Sequence, residues 1–240
     1  MLGEEPRCGR VLVRAPAPVL DEVAGVVRRW LDLDGDVAAA EEHLRADARL
    51  APVVAAHPGL RVPRSVSGAE TALLTVLGQQ VSLASARTFA GRLVAAFAGP
   101  AVGGLTAFPD PAVLAAAGPE ALRAATGLTG ARSRTLHALA QLLAGELDLD
   151  AAREAGGGAA ARARLLAVPG IGPWTADLVA LRVLDDDDAF LPGDLVLRRA
   201  VGGVPPAAAL ALARTWRPWR GYALLHLWTA QVFADPGARR

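Results

Sequence analysis

The stretch Val168-Pro169-Gly170-Ile171-Gly172-Pro173-Trp174-Thr175-Ala176, followed by Asp194 in Phe190-Leu191-Pro192-Gly193-Asp194, decides how this chain is read. Two glycines bracket one apolar residue, between an apolar run ending at Val168 and another beginning at Ala176. The pattern describes two helices joined by a hairpin too tight for side chains. Such a hairpin turns its N–H groups outward. Unpaired donors at a helix start, with the positive end of the dipole behind them, form a site for an anion such as a phosphate. Asp194 then supplies a carboxylate a fixed distance downstream. Alone, an aspartate after Pro-Gly reads as an ordinary helix N-cap; with the hairpin upstream it becomes the candidate catalytic group.

Composition narrows the classes around this motif. At 240 residues the chain can bury a real core as one large domain or two small ones. Hydrophobic residues make up 52% of it, yet no uninterrupted apolar stretch is long enough to cross a bilayer. The first ten residues lack an apolar signal core, so the expected location is the cytoplasm, at the bacterial nucleoid. Cys8 is the single cysteine, which excludes an internal disulfide, a four-cysteine zinc site and an iron–sulfur cluster; four scattered histidines offer no ligand spacing. The net charge is +1. It conceals a gradient, because seven arginines against two aspartates follow from position 194 onward, a local excess of five positive charges. All 25 basic residues are arginine, and lysine is absent.

Along the chain, Val11-Leu12-Val13-Arg14 reads as one short strand without a visible partner. Apolar spacing and capping signals then predict helices over 19–30, 36–44, 67–81, 82–97, 111–117, 120–125, 131–144, 159–167, 175–184, 194–201, 206–215 and 221–233. Ser67 with Glu70 forms a capping-box pattern, Gly156-Gly157-Gly158 a flexible joint, and Asp185 to Asp188 a solvated acidic loop that is no metal site. There is no internal repeat.

The run 165–194, the segment Gly78-Gln79-Gln80-Val81-Ser82 and the block Arg217-Pro218-Trp219-Arg220-Gly221-Tyr222-Ala223-Leu224-Leu225-His226-Leu227-Trp228 together resemble 3-methyladenine DNA glycosylase II. This is the alkylation-repair branch of the helix-hairpin-helix DNA glycosylases, and the resemblance runs from about residue 11 to 232. It implies a mainly α fold, two helical subdomains flanking a cleft, with a short N-terminal remnant of a β-rich domain. The corresponding division is 1–43 for the remnant and 44–240 for the glycosylase domain. Within the latter, 68–186 carries the hairpin 165–184, and 44–67 joins 187–240.

The implied activity is hydrolytic excision of alkylated purines, of 3-methyladenine and 7-methylguanine type, from duplex DNA by a monomer. An alkyl-transfer repair domain is the implied partner, fused or separate. Such hydrolysis passes through an oxocarbenium-like sugar, which a fixed negative charge, Asp194, stabilises. An alkylated purine is cationic and leaves without a general acid. Trp174 stands where lyase-type relatives carry a Schiff-base lysine, so strand cleavage is not expected. Trp174 and Trp228 become walls of the base pocket, with Tyr222, Leu178 and Leu195 beside them; cation–π attraction to a charged base amounts to about 1–2 kcal/mol in a dry site. As a competing role, both tryptophans suit the core, where Trp216 and Trp219 are also assigned. Gly170, Ile171, Gly172, Thr175 and Arg198 form the expected DNA-binding set. Gln79 and Gln80 match the wedge that fills the gap left by the extruded nucleotide, although the familiar pattern has Leu where this chain has Gln80; without the resemblance they read equally as surface amides. No cofactor is required. The resemblance further implies a monovalent cation, Na+ or K+, on the main-chain carbonyls of Leu166, Val168 and Ile171. The alternative to an enzyme is a non-catalytic helix-hairpin-helix module that grips duplex DNA, and a third possibility is an Ala-rich scaffold carrying the motif by chance.

Overall fold

Local capping chemistry sets most helix starts in the computed structural model, which describes residues 11–101 and 103–234. Ser67 accepts a hydrogen bond from the N–H of Glu70 at 3.3 Å and opens α4 (Gly68–Leu77), in the order in which the helices are numbered along the chain. Asp36 opens α2 (Val37–Leu44), and Ser82 opens α5 (Leu83–Phe97) in the same way. Asp110 opens α6 (Pro111–Thr126), and Thr129 opens α7 (Gly130–Gly145). The two helices expected over 111–117 and 120–125 are both present within this span, separated by a kink where Gly118 leaves helical backbone before Pro119. Ahead of them all lies α1 (Leu20–Trp30), preceded by a short 3-10 turn.

Two helices escape sequence reading. They are α3 (Ala51–Ala56) and α8 (Leu149–Glu154), each six residues, too short to display a 3.6-residue period. Asp148 does cap α8, and its side chain was the available signal. Residues 11–16 form no strand, and the described residues contain none; an isolated run of β-prone residues has no ladder to complete. Gly156 and Gly157 lie in a hydrogen-bonded turn, Gly157 N–H donating to the Ala152 carbonyl at 2.7 Å, and Gly158 is the first residue of the next helix, so the three glycines are not an open tether.

The second half supplies α9 (Gly158–Leu166), α10 (Pro173–Val183), α11 (Leu195–Ala200), α12 (Pro206–Leu212) and α13 (Arg220–Ala234). One continuous apolar core joins them. It includes Leu73 and Leu77 of α4, Leu136 and Leu139 of α7, Val179 and Leu181 of α10, and Leu224 of α13, none more than 1% exposed. Helix α4 packs on α5, α7, α8 and α10, while α13 packs on α3 and α11. Trp216 is core as expected, donating its indole N–H to Asp47 at 2.7 Å. No helix among the described residues is long and apolar enough to cross a membrane.

The acidic run is only in part the solvated loop expected. Asp185 and Asp186 are exposed, but Asp185, Asp187 and Asp188 are also held by arginines from three parts of the chain. Asp187 pairs with buried Arg64, Asp185 lies 3.9 Å from Arg64 and 3.7 Å from Arg153, and Asp188 meets Arg220 at 2.7 Å and Arg217 at 2.8 Å. Buried Asp32 completes the cluster, with Arg64 at 3.3 Å. No group of three or more His, Cys, Asp or Glu side chains placed to hold a metal ion occurs among the described residues.

Candidate active site

The hairpin closes because Gly170 adopts a left-handed φ of +89° directly against α7. A Cβ at this position would overlap the hydroxyl of buried Thr135. Gly172 differs. It is the N-cap of α10 with φ −97° and ψ 177°, and a Cβ there would meet nothing within 4 Å. Its bareness has no packing cause and leaves the main chain open to close approach from outside. Among the described residues, no backbone carbonyl accepts from the N–H of Gly172, Trp174 or Thr175. Ile171 is buried and anchors the loop tip to the core.

Asp194 lies across a cleft of about 620 Å3 from this hairpin; the cleft is lined by Gln79, Gln80, Gly170, Gly172, Trp174, Asp194 and Leu195 among others. The Pro192-Gly193 turn delivers it, the Asp194 N–H donating to the Leu191 carbonyl at 2.9 Å. Three donors hold the carboxylate. Oδ1 accepts from the indole N–H of Trp228 at 2.9 Å and from the Leu197 N–H at 2.8 Å; Oδ2 accepts from the indole N–H of Trp174 at 3.0 Å. An ionised carboxylate has about four acceptor positions, so Oδ1 is filled and Oδ2 retains a lone pair. The N-cap role and the cleft-facing role are thus compatible, the cap using Oδ1.

An indole N–H lies in the ring plane, so both rings meet the carboxylate edge-on. Trp174 lines the cleft, and Trp228, half-buried against the core, meets the same carboxylate through its indole N–H. Tyr222 is corrected outright. It is buried, 1% exposed, and its hydroxyl donates to Asp32 at 2.6 Å within the Arg64 cluster. Burial and the Asp32 carboxylate together push its ionisation far above the usual tyrosine range. Leu178 packs against the core outside the cleft lining, whereas Leu195, 55% exposed, lies at the cleft.

Thr175 is buried and its hydroxyl accepts from the Gln79 side-chain amide at 2.9 Å, so it braces the hairpin instead of pointing outward. Gln79 also donates to the Gly170 carbonyl at 3.2 Å. That amide is therefore committed, and the exposed member of the pair is Gln80, held at a left-handed φ of +54° on the cleft rim. Arg198 turns back, its Nε donating to the Val204 carbonyl at 2.8 Å. At the hairpin's other end, no backbone N–H among the described residues donates to the carbonyls of Leu166 and Ile171; the Val168 carbonyl accepts from Ile171 at 3.0 Å. Oxygen-only ligands of this kind suit a hard monovalent cation better than a transition metal.

Two helices meeting at a Gly-x-Gly turn, with an aspartate across a cleft, define a helix-hairpin-helix protein. The chain belongs to the HhH-GPD superfamily of base excision DNA repair proteins, whose family model matches residues 73–205. Residues 4–67 match the AlkA N-terminal domain model. Among curated relatives, a probable bifunctional transcriptional activator/DNA repair enzyme AlkA of Mycobacterium tuberculosis is 47% identical over 211 residues, covering 84% of this chain and 41% of that protein. DNA-3-methyladenine glycosylase 2 of Escherichia coli is 40% identical over 178 residues, covering 72% and 61%. The chain thus spans between about two fifths and three fifths of these relatives' lengths. In fold it is similar to the 3-methyladenine DNA-glycosylase from Archaeoglobus fulgidus, with a TM-score of 0.77 at 23% identity over 93% of this chain and 78% of that one. A Schizosaccharomyces pombe 3-methyladenine DNA glycosylase in complex with abasic DNA has a TM-score of 0.67 at 22% identity, covering 80% and 95%.

Proposed function

We propose that the chain is a monofunctional DNA glycosylase that extrudes alkylated purines from duplex DNA into the cleft and hydrolyses the N-glycosidic bond. The observation that carries this is the Asp194 carboxylate, fixed by two indoles and a main-chain N–H with one lone pair of Oδ2 left open. A carboxylate held so firmly needs no reorganisation as positive charge grows on the sugar, which is how preorganised electrostatics lower a barrier. The C1′–N bond breaks, the cationic base leaves with the bonding electrons as a neutral purine, and water adds to the oxocarbenium C1′, giving up one proton to solvent. The face of Trp174 favours a base that is still cationic over a neutral one. The names of the relatives in Mycobacterium tuberculosis and Escherichia coli support the same class of work.

The unpaired N–H groups of the hairpin grip one phosphate of the backbone, and the absent Cβ of Gly172 lets that phosphate approach. The carbonyls of Leu166, Val168 and Ile171 would hold Na+ or K+ behind it, adding positive charge toward the phosphate. Gln80 rather than Gln79 fills the gap in the duplex. With no lysine in the 240 residues, no lysine amine is available for Schiff-base strand cleavage.

The test is release of 3-methyladenine from methylated duplex DNA by the protein and by Asp194→Asn. Asparagine keeps an oxygen for the cap, so the variant folds and binds DNA while release falls on the order of 10²–10³-fold. Equal release from both refutes the mechanism; duplex binding without any release establishes the non-catalytic module instead.

A further inference from the structure

Ion pairing is unevenly distributed in this molecule. Residues 68–145 contain five arginines, Arg87, Arg92, Arg123, Arg132 and Arg134, and none forms an ion pair among the described residues. The same stretch has three acids, Glu70, Asp110 and Glu120. Glu70 lies in the first turn of α4, Asp110 caps α6, and Glu120 makes no ion pair with Arg123 one turn later. Outside this stretch eight of the sixteen described arginines, Arg28, Arg45, Arg64, Arg153, Arg162, Arg164, Arg217 and Arg220, meet carboxylates.

Three of the unpaired guanidinium groups surround one loop, residues 126–130, between α6 and α7. Arg92 donates to the Thr126 carbonyl at 3.0 Å. The Nη1 atoms of Arg134 and Arg123 lie 3.4 and 4.0 Å from the point where a Cβ on Gly130 would stand. All three side chains belong to exposed residues. Like charges gathered this closely with no acid between them repel, and an anion from outside is what relieves them. The place is also specific: Arg134 precedes Thr135, the side chain on which Gly170 of the hairpin is seated.

We infer that the corner between α6 and α7, carried by Arg123 and Arg134 with Arg92 beside them, is a second grip on the phosphate backbone, continuous with the hairpin. The inference rests on the proposal above that the partner is duplex DNA. A duplex presents one phosphate per 3.4 Å along each strand, so a backbone seated on the hairpin offers further phosphates to groups beyond Thr135. The corner reads no sequence and touches no reacting atom; it holds the duplex in register while the cleft works.

The experiment compares the affinity of the protein for an undamaged duplex across a salt series with that of the double variant Arg123→Gln/Arg134→Gln. The control Arg28→Gln/Arg45→Gln removes equal charge from ion-paired sites outside 68–145. Each lost phosphate contact lowers the slope of log K against log salt by about 0.9, so between 50 and 200 mM salt the double variant loses roughly 12-fold less affinity than the wild type. The control keeps both the wild-type slope and the wild-type base release. A wild-type slope in the double variant, in a protein that binds and releases base, overturns this surface alone. A wild-type protein that shows no salt-dependent duplex binding removes the functional reading together with it.

Discussion

Gly170 and Gly172 sit two residues apart in one loop, yet the structure assigns their missing side chains to different causes, and alanine separates them. At Gly170, alanine must adopt φ +89° and place its Cβ into the Thr135 hydroxyl, with Thr135 Cβ and Cγ2 at 3.1 Å. A left-handed backbone costs an L-residue about 1–2 kcal/mol, and overpacking a filled site costs about 1–3 kcal/mol more. Thr135 cannot swing aside easily: it is buried, β-branched and donates to the Ala131 carbonyl at 3.2 Å. The sum is about 2–5 kcal/mol, a fall in Tm of roughly 4–20 °C for a chain of this size. At Gly172 the backbone is extended and the space empty, so alanine changes stability by no more than about 0.5 kcal/mol. Its Cβ instead occupies the approach to the unpaired N–H groups, and affinity for duplex DNA falls about tenfold or more. Thermal unfolding and duplex binding measured on both variants decide the matter. Equal Tm losses, or a Gly172→Ala protein with wild-type affinity, would refute the division of labour argued here.

Trp228→Phe keeps an aromatic ring beside Asp194 but deletes one donor to Oδ1. A hydrogen bond to a charged group contributes about 1.5–3 kcal/mol, so base release slows roughly ten- to hundredfold. Duplex affinity stays within about twofold, because the N–H removed is committed to Asp194; parallel losses in both would show that it contacts DNA. A second expectation concerns His226, which is fully buried. Burial pushes its pKa below the usual histidine value, with Glu41 opposing and His57 and Arg45 reinforcing the shift. The folded protein therefore binds fewer protons than the unfolded chain just below pH 6.5. Its contribution to stability is complete above that pH and is lost as the pH falls, with a slope of at most about 1.4 kcal/mol per pH unit. Urea midpoints between pH 5 and 7 test this. His226→Phe flattens the dependence, and an unchanged slope in that variant would assign it to other groups.

The hairpin and Asp194 were legible because their signals are local. A Gly-x-Gly between apolar runs, and an Asp after Pro-Gly, each constrain the chain within a few residues. The same holds for the helices capped by Ser67, Ser82 and Asp36. What sequence could not show was direction and partnership. Trp228 was placed in the site, but whether its face or its N–H met the cleft depends on the rotation of α13, which spacing does not encode. Tyr222 finds Asp32 across 190 positions, and Arg64 finds Asp187 across 123. Four consecutive aspartates resemble a solvated loop in any local window, since their arginines lie elsewhere. Gln79 and Gln80 are chemically identical neighbours, and only the fold shows that one braces the hairpin while the other remains exposed.

The acidic loop also bears on catalysis. Ion pairs removed from water contribute little net stability, because desolvation offsets attraction, so the cluster around Arg64 and Asp188 is a poor source of folding energy. Its value is registration. Arg64 donates to the Leu181 carbonyl at 2.7 Å near the end of α10, and the Asp187 carbonyl accepts from the Gly221 N–H at 2.7 Å at the start of α13. No side chain fits at Gly221, where a Cβ would strike Leu181 and lie 2.8 Å from the Asp187 carbonyl. The two helices are thereby clasped at one end. At the other, Trp174 begins α10, and Trp228 lies eight residues along α13, about 12 Å from the clasp at 1.5 Å per residue. Both indoles must reach Asp194 within hydrogen-bond distance at once, and a displacement of about 1 Å at a reacting group can cost on the order of 10²-fold in rate. The contacts of Arg64 and Asp187 thus tie together the two helices that carry the carboxylate's indole donors.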